Sequence, residues 1–213
     1  MLKLNLLQPA VAHLRDKLGL SPEEEEVALY GLKVIVYSTA NLISVVLIGL
    51  LLNCLGPVLA ATTAAGTLRL FSGGAHSRSP LICNILGMLV AGGLGKFSSL
   101  LAPRFSAPSL LFLVLLGGAL AFLPFFFLAP VDSPNKPLTL EERKKMRRLS
   151  LLLFFIIISF QLGLLTLKGP PSWVLAISLG VWWQAFSLTR AGHGLATAID
   201  KFFSLNEREV LRG

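Results

Sequence analysis

Charge is scarce in this sequence. Only 14% of its 213 residues are Asp, Glu, Lys or Arg, where a soluble globular domain carries about 25%. With 54% hydrophobic residues, the chain cannot cover a water-facing surface with polar side chains. That excludes a soluble enzyme and a disordered tail. Cysteine is scarcer still: Cys54 and Cys83 are the only two, so no disulfide scaffold is implied. Three histidines and no Cys-x-x-Cys pair give no set of ligands for zinc, and no metal or other cofactor is expected. Acidic residues are outnumbered, 11 against 19 basic, for a net charge of +8. In a chain this apolar, surplus base marks cytoplasmic loops rather than a nucleic-acid surface. The expected environment is the lipid bilayer, with no nucleic acid. The length suits one membrane domain, 1–213, with no room for a soluble partner domain.

What the sequence does have is a series of long apolar runs. Leu4, Leu7, Val11, Leu14 and Leu18 recur at helical spacing, and Lys3, Arg15, Asp16 and Lys17 interrupt any continuous apolar stretch. Residues 1–20 therefore read as an amphipathic helix in the membrane interface, or one packed on the other helices, and not as a signal peptide. Ser21-Pro22-Glu23-Glu24 opens the next helix: Ser21 caps it, Pro22 suits its first position, and Glu24 completes a capping box. The glutamates at 23–26 lie where the helix dipole favours anions, so capping explains them better than catalysis.

Spans are expected near 30–55, 57–71, 80–101, 107–129, 149–167 and 172–189, followed by a cytoplasmic tail, 190–213. The 57–71 stretch is rich in Ala, Thr and Gly and is interrupted by Arg69, so it reads as a short or re-entrant segment packed inside protein. Pro124 predicts a kink in the fourth span. The expected fold is thus all-α: a polytopic membrane protein of about six transmembrane or re-entrant segments plus the N-terminal interfacial helix.

Lys and Arg distribution sets the orientation. Fifteen of the 19 lie in 1–26, 68–79, 130–148 and the tail from 190, and only Lys96, Arg104 and Lys168 lie in the intervening loops. Both termini and the 68–79 and 130–148 loops are therefore expected on the cytoplasmic side of a bacterial cell membrane.

The segment from Arg69 to Cys83 is the part of the chain equipped for chemistry. It holds His76 and Cys83 seven residues apart. On one straight helix they would stand about 10.5 Å apart along the axis, whereas a thiol–imidazole pair needs roughly 3 to 4 Å. Gly73 and Gly74 permit a bend, and Pro80 disfavours helical geometry at Ser79. With Ser79 as N-cap and Pro80 first in the next helix, Cys83 falls in or near its first turn. A helix N-terminus and a neighbouring imidazolium favour a cysteine nucleophile, with His76 as base. No Asp or Asn stands near His76 in sequence to orient it. Cys54 reads as a small buried apolar residue, and His193 as a tail residue rather than a second base.

A second polar stretch runs through the proline-rich loop Ala129-Pro130-Val131-Asp132-Ser133-Pro134-Asn135-Lys136-Pro137, stiff and extended, into the basic run at 143–148. Topology alone explains much of that run. Lys144 and Lys145 are its candidates for docking an acidic peptide segment.

Tyr30-Gly31-Leu32, the motif Arg69-x4-Gly74-x-His76-x6-Cys83, and the Asn135-Lys136-Pro137 loop some fifty residues later together resemble the AgrB family, the accessory gene regulator B membrane endopeptidases. The resemblance covers about residues 10 to 200. It implies processing of an AgrD-like propeptide to a cyclic autoinducer, the kind of peptide used in quorum sensing, with Cys83 as thiol-protease nucleophile and His76 as base; the resemblance leaves open whether this copy serves quorum sensing. Arg69 and Gly74 fall on further positions typical of the family and are candidate substrate-binding residues. A homodimer is compatible with the sequence. The competing reading from another class is a non-enzymatic membrane transporter or peptide exporter, whose pathway would show as polar residues within the spans. The confident spans hold few such residues.

Overall fold

A computed structural model describes residues 8–77, 79–131 and 138–210, with side chains to residue 203. Arg78, the Asn135-Lys136-Pro137 motif and the first seven residues of the expected interfacial helix lie outside that set. All regular structure in it is helical: α1 (Gln8–Leu18), α2 (Pro22–Leu51), α3 (Leu55–Ser72), α4 (Pro80–Leu101), a single 3₁₀ turn (Ala102–Arg104), α5 (Ala107–Phe127), α6 (Leu140–Thr166), α7 (Pro171–Ser187) and α8 (Arg190–Val210). The all-α expectation holds.

The chain divides into two compact units, Met1–Ser44 and Val45–Gly213. In the first, α1 stops at Gly19, which takes a φ of +65°. The expected capping box then starts α2: Ser21 N–H donates to Glu24 Oε2 at 2.8 Å, and Glu24 N–H donates to Ser21 Oγ at 3.3 Å. Arg15 joins the two helices through Glu25 at 3.4 Å. The pair is exposed, so it contributes about 1 kcal/mol or less.

In the second unit α3 and α7 are the inner helices. α7 buries Val174, Ala176, Val181 and Gln184 among others. Gly180 leaves room for the carbonyl of Ala61 on α3, where a Cβ would collide. Leu68 of α3, Phe125 of α5, Phe154 of α6 and Val181 of α7 meet in one apolar cluster. Val45, Cys54, Val58 and Ala91 form another, which gives Cys54 the packing role expected of it. Gln161 of α6, fully buried, donates through Nε2 to the Val174 carbonyl at 3.0 Å and to Ser178 Oγ at 2.7 Å. Such interhelical bonds in an apolar interior are worth about 0.6 kcal/mol each on average.

Among the described residues, four helices are long and apolar enough to cross a membrane: α2, α4 with its 3₁₀ turn, α5 and α6. Phe112, Leu120, Phe155 and Phe160 are among their exposed large side chains, as suits a chain whose solvent is lipid. These four helices account for four of the about six transmembrane or re-entrant segments expected. α3 and α7 occupy the 57–71 and 172–189 stretches, but α3 is diluted by Thr, Gly and Arg69, and α7 has 17 residues. Seventeen residues reach only about 25 Å, short of the roughly 30 Å hydrocarbon core.

Two further boundaries differ from the sequence reading. α6 begins at Leu140 rather than 149, because Thr139 and Glu142 form a capping box. The basic run is therefore helical rather than loop. The tail from 190 is also helix: Thr189 Oγ1 caps α8 by accepting from Gly192 N–H at 3.2 Å. α5 runs through Pro124 to Phe127.

Candidate active site

α3 ends because Gly73 takes φ +67° and ψ −144°, a combination open essentially only to glycine. A side chain there would strike the carbonyl of Val131. Gly74 follows at φ +129°, and a Cβ on it would stand 2.5 Å from Ser187 Oγ. The chain then runs non-helically to Ser79, which has extended φ −95° and ψ 120° and precedes Pro80 at the start of α4. Ser79 makes no side-chain cap, but its carbonyl accepts from Cys83 N–H at 2.9 Å. Cys83 is thus in the first turn of α4, and the break anticipated between His76 and Cys83 is present.

The turn is tied down by the C-terminal end of α7. Ala75 N–H donates to the Ser187 carbonyl at 2.9 Å. Gln184 Nε2 donates to the Gly73 carbonyl at 2.7 Å and to Ser72 Oγ at 2.9 Å. Val131 N–H donates to the Ser72 carbonyl at 2.9 Å. The Arg69 guanidinium reaches across the bend to the Ala75 carbonyl.

This geometry turns a seven-residue separation into a distance of 4.0 Å between Cys83 Sγ and His76 Nδ1. Cys83 is half-buried. His76 is exposed to solvent on one side, while neighbouring protein atoms crowd it on the other. That crowding, the Arg69 charge and His193, in that order, push its pKa down to about 4. At neutral pH the imidazole is therefore uncharged and able to accept a proton. The imidazolium expected from the sequence is disfavoured first by that crowding and then by Arg69, whose positive charge already acts on the ring. That charge acts on Cys83 as well.

Arg69, Gly74, His76 and Cys83 thus come together. Lys144 and Lys145 do not join them: both are exposed on α6, Lys144 is 3.4 Å from Glu141 on its own helix, and neither has a described contact with the 73–83 segment. Two residues of α8 do reach it. His193 acts on His76, and Asp200 accepts a hydrogen bond from Ser77 Oγ at 2.5 Å. The signal for α8 was available in the helical spacing of Leu195, Ile199 and Phe202. Among the described residues no three His, Cys, Asp or Glu side chains converge as a metal site would need. A groove of about 570 Å³ along α5, lined by Phe112, Leu116 and Trp182, shares no residue with this site.

The chain is similar to known proteins over most of its length. Residues 8–188 match the family model for accessory gene regulator B. An AgrB-like protein of Clostridium perfringens strain SM101 is 33% identical over 200 residues, covering 88% of this chain and 91% of the relative. AgrB-like protein 2 of strain 13 of the same species is 32% identical over 198 residues, with the same coverage. No solved structure matches the chain.

Proposed function

Because the chain belongs to the accessory gene regulator B family, we propose that it is a membrane cysteine endopeptidase that trims an AgrD-like propeptide and cyclises the remainder. The observation that carries the reading is the 4.0 Å approach of Cys83 Sγ to an uncharged His76. His76 Nδ1 takes the thiol proton as sulfur attacks the carbonyl carbon of the scissile bond. The tetrahedral intermediate collapses, the carbon–nitrogen bond breaks, and the proton passes from His76 to the leaving amine. The peptide is left as a thioester on Cys83. A thiol or hydroxyl within the peptide then attacks that carbonyl and gives its proton to His76. The carbon–sulfur bond breaks, the proton returns to Cys83, and a thiolactone or lactone ring is released. The thioester conserves the acyl energy of the peptide bond, so ring closure needs no ATP.

Arg69 adds a fixed positive charge beside sulfur and the developing oxyanion. The two termini and the site belong on the cytoplasmic side, where the basic residues concentrate, and 143–148 offers a docking surface for an acidic propeptide tail. Cleavage assays in nanodiscs test the mechanism: Cys83→Ala and His76→Ala abolish cleavage, whereas full cleavage by Cys83→Ala would sink it.

A further inference from the structure

α8 meets the turn at consecutive residues. Ser77 Oγ donates to Asp200 Oδ1 at 2.5 Å, a hydroxyl-to-carboxylate bond of the charge-assisted kind. The residue before Ser77 is His76, and Ser77 Oγ also accepts from Ser79 N–H at 3.3 Å. One hydroxyl therefore links α8, the residue after the imidazole, and the residue before α4. His193 lies seven positions before Asp200, two turns back along the same face of α8, and it acts on His76. Two separate observations thus lay one face of α8 along the 76–77 segment. Among the described residues, the bonds from α7 reach the turn as far as Ala75, and the bond from α8 takes over at Ser77.

We propose that Asp200 is a positioning residue: through its hydrogen bond to Ser77 it holds the His76 end of the turn in register with Cys83. The proposal rests on the reading of Cys83 and His76 as the reacting pair. It gives α8 a part in the site, where the sequence offers only a tail. Asp200 bonds to Ser77 rather than to the imidazole, so its part is position. Asp200 takes part in further interactions, so Ser77→Ala isolates this bond, and it also serves should Asp200→Ala fail to fold.

The test is the rate of Cys83 alkylation by iodoacetamide, with no peptide present, on the full chain in nanodiscs and in a Cys54→Ala background. His76→Ala sets the rate without a base. Ser77→Ala and Asp200→Ala each slow alkylation at pH 7 by about tenfold, in keeping with the sensitivity of such pairs to small displacements. The double variant is no slower than either single one, because both remove the same bond. Asp200→Asn keeps an oxygen that accepts from Ser77, retains the unaltered rate, and leaves the pH profile in place. Unaltered rates for Ser77→Ala and Asp200→Ala, with His76→Ala slow, would overturn this inference alone. So would losses that multiply in the double variant, or Asp200→Asn as slow as Asp200→Ala. An unaltered rate for His76→Ala would overturn the reacting pair and the inference together.

Discussion

Gly74→Ala probes whether the shape of the turn governs the chemistry. The native φ of +129° is one that side-chain-bearing residues seldom adopt, and the new methyl would meet Ser187 Oγ at 2.5 Å. The conformational strain is about 1–3 kcal/mol. Ser187 must also give way, and its bonds to the Gln184 carbonyl at 2.8 Å and Gln184 Oε1 at 3.1 Å go with it, a further loss of about 1 kcal/mol. A total near 2–4 kcal/mol lies within the roughly 5–15 kcal/mol that a domain has in hand. The protein should fold and the turn should shift. His76 is two residues away, and a displacement of about 1 Å at a reacting pair costs on the order of 100-fold in rate. Initial rates of propeptide cleavage in nanodiscs should therefore fall about 100-fold, with only a modest loss in melting temperature. Adding Ser187→Ala removes the close contact but not the strain in φ, so it should restore part of the activity. A Gly74→Ala protein that cleaves at the unaltered rate would refute the reasoning.

The remaining expectations are simpler to check. Cys54→Ala leaves cleavage intact, because Cys54 is buried in the Val45–Val58–Ala91 cluster, and a small loss of thermal stability is its whole effect. The acid limb of kcat/KM for the free enzyme lies near pH 4 rather than 6.5. The folded imidazole pKa is depressed, so the neutral base survives as pH falls until about 4, and an acid limb near 6.5 would show His76 unperturbed or uninvolved. Lys144→Gln with Lys145→Gln raises the propeptide KM several-fold at low salt and little at high salt. It leaves kcat nearly unchanged, since the contact is equal in ground and transition states, and an unchanged low-salt KM would reduce the basic run to a topology signal.

Much of the fold was legible because membrane helices advertise themselves. Long apolar runs and the Ser21/Glu24 and Pro80 start signals placed α2, α4 and α5 to within a few residues. The bend at Gly73-Gly74 was legible for the same local reason, since two glycines before a Ser-Pro pair leave few backbone choices. Three features were not read, each for a separate cause. The start of α6 is polar, so a search for apolar runs began it nine residues late, although Thr139 and Glu142 carried the capping signal. α8 is amphipathic rather than apolar, so its charge disguised it as tail. The lowered pKa of His76 depends first on crowding by its surroundings and then on the charges of Arg69 and His193, and none of these is written in spacing along the chain.

The site sits where a membrane protein can least tolerate irregular backbone. A non-helical stretch between two helices frees carbonyls and N–H groups that lipid cannot satisfy. The partners at this bend come from within the chain: Arg69 takes the Ala75 carbonyl, Gln184 the Gly73 carbonyl, the Ser187 carbonyl the Ala75 N–H, and Val131 N–H the Ser72 carbonyl. Gln184 and Ser187 are buried on the inner helix α7, so water cannot readily replace them. The groups that make the bend affordable are thus the ones that bring His76 to Cys83. It follows that removing them should damage activity before it damages the fold, and that α7, although it supplies no reacting atom, is as much a part of the site's construction as α3 and α4.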